Sequence, residues 1–130
     1  MHQTLFPQGW LKPRGYANGI LAKPGEQIFV GGQIGWNDQC EFESDDFVDQ
    51  VKQTLCNIVA VLAEAGAGPE HIVRMTWYVT NKREYVDNVI AMGAAYRSVM
   101  DRNFPAMSVV QVVALVEDRA KVEIEVTAVL

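Results

Sequence analysis

Cysteine and histidine are scarce in this sequence, and their placement excludes the simplest metal and redox motifs. The two cysteines, Cys40 and Cys56, have no Cys-x-x-Cys spacing. The two histidines, His2 and His71, lie too far apart in sequence to suggest a zinc site. We therefore expect no bound metal and a reduced setting. Cys56 is predicted to be a small buried residue in a helix, and Cys40 a free thiol in a loop.

Positive charge and long apolar stretches are also limited. The net charge is -5 and the chain has no run of Lys or Arg, which argues against nucleic-acid binding because phosphates require a concentrated cationic surface. No stretch approaches the apolar length that spans a membrane, and the start lacks a secretory pattern, so a cytoplasmic protein is expected. The sequence contains neither a dinucleotide fingerprint nor a P-loop.

What the sequence does contain is a composition typical of a globular protein. Apolar residues make up 49% of the 130 positions and charged residues 21%, and no linker or repeat divides the chain. This length is sufficient for one buried core and too short for two ordinary ones. We therefore predict a single domain over residues 1–130.

Two helices are predicted between the strands. Ser44 and Asp45 can cap the first, which Gly66 ends with the residue that best tolerates a left-handed conformation. Asn81 opens the second, which ends before Pro105. The strands are predicted at residues 19–22 and 27–31, paired as a hairpin, and at residues 73–80, 107–116 and 122–130. The order of these elements predicts an α+β fold with both helices on one face of the sheet.

The last two strands predict a subunit interface. Segment 107–116 carries apolar side chains on both faces and must be covered twice. Two helices can cover one face, so a second subunit is expected on the other. In segment 122–130 a period of two places Glu123 and Glu125 on one face, near that interface. These carboxylates are either a solvated strand face or a chemical site, because a carboxylate at an interface is costly unless it is paired or used.

Glycines and short motifs identify a family. Residues 31–35 contain three glycines, as expected where backbone closely approaches a ligand or takes unusual dihedrals. In order and at their spacings, the motifs of this chain resemble the reactive-intermediate deaminase family, also called RidA or YjgF, over nearly the whole length. The motifs are Gly15-Tyr16, Gly31-Gly32-Gln33-Ile34, Gln50 and Asn57 with Ala65-Gly66, Phe104-Pro105-Ala106, and Val122-Glu123-Ile124-Glu125.

The resemblance implies a chorismate-mutase-like fold and a homotrimer whose sheets form a central barrel, with pockets between subunits. It implies hydrolysis of imines and enamines, produced by pyridoxal-phosphate enzymes, to a carbonyl compound and ammonia, with no metal or cofactor. By position, Tyr16, Gly31 and Gly32 match pocket residues, and Glu123 matches the carboxylate that handles the attacking water. Glu125, on the same face, is the competing candidate.

One position departs from the family pattern. The residue after Phe-Pro-Ala is, in the well-known deaminases, an arginine that clamps the substrate carboxylate, and here it is Met107. The chain therefore resembles the arginine-lacking branches. Either Arg14 replaces the clamp from another direction, or the pocket accepts a less charged and more apolar imine.

The resemblance leaves rival functions open. A non-catalytic member would use the same pocket to bind a small metabolite, or would act through protein contacts. Ribonuclease activity, attributed to some family members, fits the acidic composition less well.

Overall fold

The computed structural model describes residues 1–130 and contains six strands, three α-helices and one short 3₁₀ helix, Pro69–His71. The sheet order is β3-β6-β4-β5, with β4 and β5 parallel and the other pairs antiparallel. The predicted α+β class is confirmed, with three helices instead of two. No helix has both the length and the apolar character required to cross a membrane. The elements are β1 (Gln3–Leu5), β2 (Gly19–Leu21), β3 (Gln27–Ile34), α1 (Phe47–Glu64), β4 (Ile72–Val79), α2 (Lys82–Asp87), α3 (Val89–Met100), β5 (Ala106–Gln111) and β6 (Val122–Val129).

The predicted hairpin between residues 19–22 and 27–31 is wrong. β2 pairs with β1, and β3 pairs with the C-terminal strand β6. In that pairing Val30 lies opposite Val126 and both are buried, whereas a local hairpin would offer β3 only the partly exposed β2. β1 is three exposed residues, too short for a periodic signal.

The core lies on one side of the sheet. Helices α1 and α3 pack against each other and contribute to the same buried cluster as β4 and β6. Leu55 and Ile58 of α1 are fully buried against it, as are Met75 of β4 and Ile124 of β6. The alternation in β6 is confirmed, because its apolar residues face this core while Glu123 and Glu125 point to the other side.

Helix α1 begins one or two residues later than the sequence suggested. Asp46 is its N-cap, and its Oδ2 accepts a hydrogen bond from the Asp49 amide at 3.0 Å. Ser44 acts indirectly, because its Oγ donates to Asp49 Oδ2 at 2.8 Å. At the other end Ala65 is the C-cap, and Gly66 follows with φ +73, the left-handed conformation that makes glycine suitable there.

The second predicted helix is two helices. Asn81 caps α2 as expected, with its Oδ1 accepting from the Arg83 amide at 2.9 Å. Asn88 then interrupts the helix at φ -120, and its side chain donates to the Glu84 carbonyl at 2.7 Å. The break separates α2, which buries no residue, from α3, which buries Met92, Tyr96 and Met100.

Strand β5 ends five residues before the predicted limit. Its only neighbour is β4, whose last residue Val79 pairs with Gln111, so the chain has no strand partner beyond that point. Val113 and Val116 consequently lie fully exposed in the loop that follows. The apolar run of residues 107–116 therefore predicted too long a strand. Its second half is not a strand covered on both faces.

Two amides on α1 fix the loops around the sheet. Gln50 is buried; its Nε2 donates to the carbonyls of Ser44 and Arg119 at 3.1 and 3.0 Å, and its Oε1 accepts from the Lys121 amide at 2.9 Å. Asn57 donates to two carbonyls at the end of β3 and just beyond it, at 3.0 and 2.8 Å. Both family-motif residues therefore position backbone segments.

Both cysteines are free and exposed. The prediction for Cys40 is confirmed, and the prediction that Cys56 is buried is wrong. Cys56 lies on α1, but on the side turned away from the sheet, because the buried stripe of that helix runs through Val51, Leu55 and Ile58.

Candidate functional site

The face of the sheet opposite the helices, here called the open face, is not covered by any element of the chain. It presents polar residues together with exposed apolar side chains such as Phe29, 72% exposed, and Val110. The second subunit expected from the sequence would cover this face. The homotrimer and its central barrel remain predictions.

A β-bulge brings Glu123 against Gly32. The pairing of β3 with β6 shifts between Val30 and Gln33, so Gly31 and Gly32 together lie opposite one residue of β6. A Cβ placed on Gly32 would lie 2.6 Å from Glu123 Oε2, whereas one on Gly31 would meet nothing within 4 Å. Neither glycine has a positive φ. A side chain at position 32 would therefore displace the Glu123 carboxylate from the position it occupies.

The two neighbouring carboxylates have different surroundings. Tyr78 donates a 2.7 Å hydrogen bond from its hydroxyl to Glu125 Oε1. This bond raises the pKa of Tyr78 above its ordinary value, and the negative charge of Glu123 adds to the effect. Glu123 itself is half-buried and makes no hydrogen bond or ion pair within the chain. Of the two, Glu123 has the carboxylate that is free to act on another molecule.

A depression of about 480 Å³ lies on the open face beside this pair. It contains Arg74, which makes no ion pair, together with the carboxylate of Glu125. The residues that line it are Phe29, Val30, Gly31, Arg74, Thr76, Glu125, Val126 and Thr127. The depression is thus polar and carries both signs of charge.

Met107 lies on the opposite side of the sheet from Glu123. In the parallel β4–β5 pairing Met107 is beside Met75, which is fully buried on the helix side. Glu123 pairs with Tyr78, whose side chain is on the open face. One chain therefore does not bring together all the site residues that the sequence suggested.

Met107 instead lines a cleft between β4, β5, α2, α3 and the loop before β2, which we call the aromatic cleft. Its volume is about 390 Å³. Arg14 lines the same cleft as Met107. The full lining is Arg14, Gly15, Trp77, Tyr85, Val89, Met92, Gly93, Tyr96, Arg97, Phe104 and Met107.

Tyr16 lies in a separate, adjoining depression. It is 41% exposed, and Gly15 and Phe104 line both its depression and the aromatic cleft. The next residue fixes this loop, because the Ala17 amide donates to the Pro105 carbonyl at 3.0 Å. Tyr16 therefore lies close to Met107 in the fold without sharing its cleft.

Two aromatic pairs form part of the walls of the aromatic cleft. Trp77 and Tyr85 meet edge to face at 5.9 Å between ring centroids, and Tyr96 stacks on Phe104 at 5.5 Å. Burial raises the pKa of Tyr96 well above its ordinary value and that of Tyr85 in the same direction, so both phenols stay neutral. The Trp77 Nε1 donor is buried and has no partner.

Sequence reasoning named Arg14 and Met107 as candidates and did not single out Arg97 or Trp77, which also line this cleft. The available signal was weak: Gly93 and Arg97 are four residues apart, which places them on one face of α3. No three His, Cys, Asp or Glu residues lie together in a way that could hold a metal ion.

Comparison with known proteins gives consistent matches along the chain. A family model described as endoribonuclease L-PSP matches residues 12–130. A RutC family protein of Pyrococcus horikoshii is 30% identical over 130 residues, 98% of each chain. The 2-iminobutanoate/2-iminopropanoate deaminase of Escherichia coli is 33% identical over 105 residues, covering 81% of this chain and 80% of its own.

A solved structure has nearly the same fold over the full length. It is a protein of unknown function of the Rid family from Yersinia pestis, with a TM-score of 0.87 and 28% identity, covering 99% of this chain and 98% of its own. A second Rid protein from the same organism is 31% identical with a TM-score of 0.69, and both chains are covered completely.

Proposed function

The chain belongs to the RidA/YjgF family, and from that membership we propose that it is a cytoplasmic hydrolase that converts reactive imines or enamines to a carbonyl compound and ammonia. Two Escherichia coli relatives support the reaction class, since one is named an iminobutanoate/iminopropanoate deaminase and the other a putative reactive intermediate deaminase. The observation that carries the proposal is the unpaired carboxylate of Glu123, held over Gly32.

The reaction requires one group that can accept and return a proton. A protonated imine is attacked by water, which must lose a proton as its oxygen bonds to carbon. Glu123 accepts that proton and returns it to the nitrogen of the tetrahedral intermediate. The C–N bond then breaks as the hydroxyl of the intermediate gives its proton back to Glu123, so ammonia leaves and the carbonyl forms. Neither a metal nor a cofactor takes part in the proposed reaction.

The complete site needs two copies of the chain. Glu123 and Met107 lie on opposite faces of the sheet, so no single chain can present both to one substrate. The uncovered open face offers the surface for a second copy. We propose a homotrimer, with the sheets around a central barrel, in which Glu123 of one protomer faces the cleft of the next.

The substrate preference is proposed to differ from that of deaminases with an arginine after Phe-Pro-Ala. Met107 provides apolar contact at that position and no charge. Arg14 lines the same cleft and can supply positive charge there.

The test is ammonia release from freshly generated imines with and without a carboxylate, comparing wild type with Glu123→Gln. The amide keeps the shape but cannot take the proton, so we expect a loss of about 100-fold or more, the lower range for a general base. Glu125→Gln is the matched control and should stay within a few-fold. Light scattering must show the same oligomer in all three proteins.

Two results would contradict the proposal. Equal rates in wild type and Glu123→Gln would exclude the mechanism. Turnover of no imine by the wild type would favour the alternative, a non-catalytic member that binds a metabolite in the same pocket or acts through protein contacts.

Ribonuclease activity, suggested by the description of the family model, has less support. The net charge is -5, and both histidines are engaged with backbone. His2 accepts from the Lys23 amide at 3.0 Å, and His71 accepts from the Gly68 amide at 3.0 Å. Their positions suit structural roles at the sheet edge and before β4.

A further inference from the structure

The aromatic cleft has the size and lining of a small-molecule site. Its volume of about 390 Å³ lies within the ~300–1,000 Å³ typical of ligand pockets, and most of its lining is apolar. The rings of Tyr85, Tyr96 and Phe104 form its walls together with Met107, whose thioether packs well against aromatic groups. These walls fit a flat or bulky apolar body.

The charge in the cleft has one sign. Arg14 and Arg97 both line it, no Asp or Glu does, and neither arginine makes an ion pair. Arg97 Nη1 lies 3.3 Å from the position that a Cβ on Gly93 would occupy, so the side chain folds back along α3 across the glycine. In a chain of net charge -5, this is a local positive site beside an apolar surface.

A buried donor in the same cleft lacks an acceptor. Trp77 is 1% exposed, and its Nε1 is the one buried side-chain nitrogen or oxygen in the chain without a hydrogen-bond partner. Buried polar groups are nearly always satisfied, so an orphan donor calls for an explanation. Trp77 also lines the cleft, so its indole N–H is a local reporter of binding there.

We propose that the aromatic cleft binds carboxylates that carry an aromatic or bulky apolar group, with Arg97 and Arg14 as the carboxylate-binding residues. Met107 then serves as part of the apolar wall, and the positive charge comes from α3 and the loop before β2. Resting on the proposed function, this assigns the substrate class as 2-imino acids with large apolar side chains. Arg97 is the specificity-determining residue.

Calorimetric titration with stable probes tests the binding directly. The probe is 3-phenylpropanoate, with 3-phenylpropanol as its neutral match and propanoate as its match without a ring. We expect 3-phenylpropanoate to bind at least about tenfold more tightly than either control, because a charge-assisted contact and a buried ring both contribute to its affinity. In ¹H–¹⁵N spectra the indole N–H signal of Trp77, assigned with Trp10→Phe and Trp36→Phe, should shift on binding.

Variants separate the arginine from general effects on the fold. Arg97→Met should weaken the probe at least about tenfold, and Arg97→Lys, which keeps the charge, should restore part of the affinity. Arg14→Met should weaken it in the same direction. Arg83→Met is the matched control, because Arg83 is an exposed helix arginine paired with Asp87 outside the cleft.

The outcomes distinguish this inference from the proposed function. Equal affinity for the carboxylate and the alcohol, or unchanged affinity in Arg97→Met, would overturn it. Tight binding of 3-phenylpropanoate without hydrolysis of any imine would sustain the binding site and contradict the enzyme. Glu123-dependent turnover of small imines, with no affinity for the aromatic probe, would sustain the enzyme and contradict this ligand class.

Discussion

At the scale of single residues, the position of the Glu123 carboxylate depends on the missing side chain at Gly32. The bulge turns this glycine toward the carboxylate, while adjacent Gly31 faces empty space. Catalytic groups lose rate steeply when they are displaced by about 1 Å. Gly31 and Gly32 have equal backbone freedom, but only the missing side chain of Gly32 makes room for the Glu123 carboxylate.

Gly32→Ala should lower imine hydrolysis by about tenfold or more, because the new Cβ would lie 2.6 Å from Glu123 Oε2 and force the carboxylate aside. The carboxylate is the far end of a flexible side chain, so the free energy of unfolding should change by less than about 1 kcal/mol. Steady-state rates and urea denaturation measure the two effects. Gly31→Ala is the control and should keep its activity. Equal loss in both variants would mean that backbone freedom, not the carboxylate, is what the glycines provide.

At the scale of secondary-structure elements, α1 does more than bury an apolar stripe. Through Gln50 it holds the chain that leads into β6, since Arg119 and Lys121 both bond to that one amide. β6 carries Glu123 only two residues beyond Lys121. The buried amide on the helix therefore sets where the strand of the candidate site begins.

Gln50→Met should destabilise the protein by about 3 kcal/mol, because it removes three hydrogen bonds and leaves part-buried backbone groups without these partners. The midpoint of urea unfolding, compared at equal protein concentration, gives the difference. Gln53→Met, on the same helix, removes a single bond to Asn57 and should cost less than about 1 kcal/mol. A Gln50→Met protein as stable as wild type would show that ordered water replaces the amide.

Elements with a strong local pattern were predictable from the sequence, and those that depend on distant partners were not. The apolar spacing of α1 and the alternation around Glu123 gave the correct element and face. The predicted hairpin was wrong because the partner of β3 is β6, a strand far along the chain that offers buried contacts. The predicted β5 was too long because β4 ends opposite Gln111. The break at Asn88 interrupts a continuous apolar pattern, so spacing alone did not indicate it.

The sequence proposed individual candidate residues but not their arrangement. Glu123, Gly32 and Met107 came from motifs, and the structure gives each a defined environment. The separation of Glu123 from Met107 by the sheet depends on the register of β4 with its neighbours, which the sequence does not encode locally. Arg97 was missed because a helix arginine near an apolar stripe has the same pattern as a solvated one.

At the scale of the whole molecule, one sheet has a covered face and an open face, and the candidate site has a half on each. Exposed Phe29 and Val110 make the open face unusual for a chain that acts alone. A rotationally symmetric assembly repeats the same contact between successive copies, so each interface would join one Glu123 to one aromatic cleft.

Mixing two inactive variants should restore activity if the site is shared between protomers. Glu123→Gln removes the carboxylate, and Gly93→Phe fills the cleft without adding charge. In oligomers reassembled from equal amounts, a site is intact when both its halves are, which gives about one quarter of the wild-type activity for random mixing. Each variant alone should be nearly inactive. No recovery in mixed oligomers would place both halves of the site in a single chain.

The sheet between Glu123 and Met107 also separates two kinds of evolutionary change. In the proposed site, substitutions around Met107 would alter which molecules fit the aromatic cleft, and within one chain they lie across a packed sheet from Glu123, the proposed proton acceptor. Drift in ligand preference therefore need not disturb the chemistry, and changes on the open face need not reshape the cleft. A fold divided in this way can diversify its ligands while inheriting one reaction.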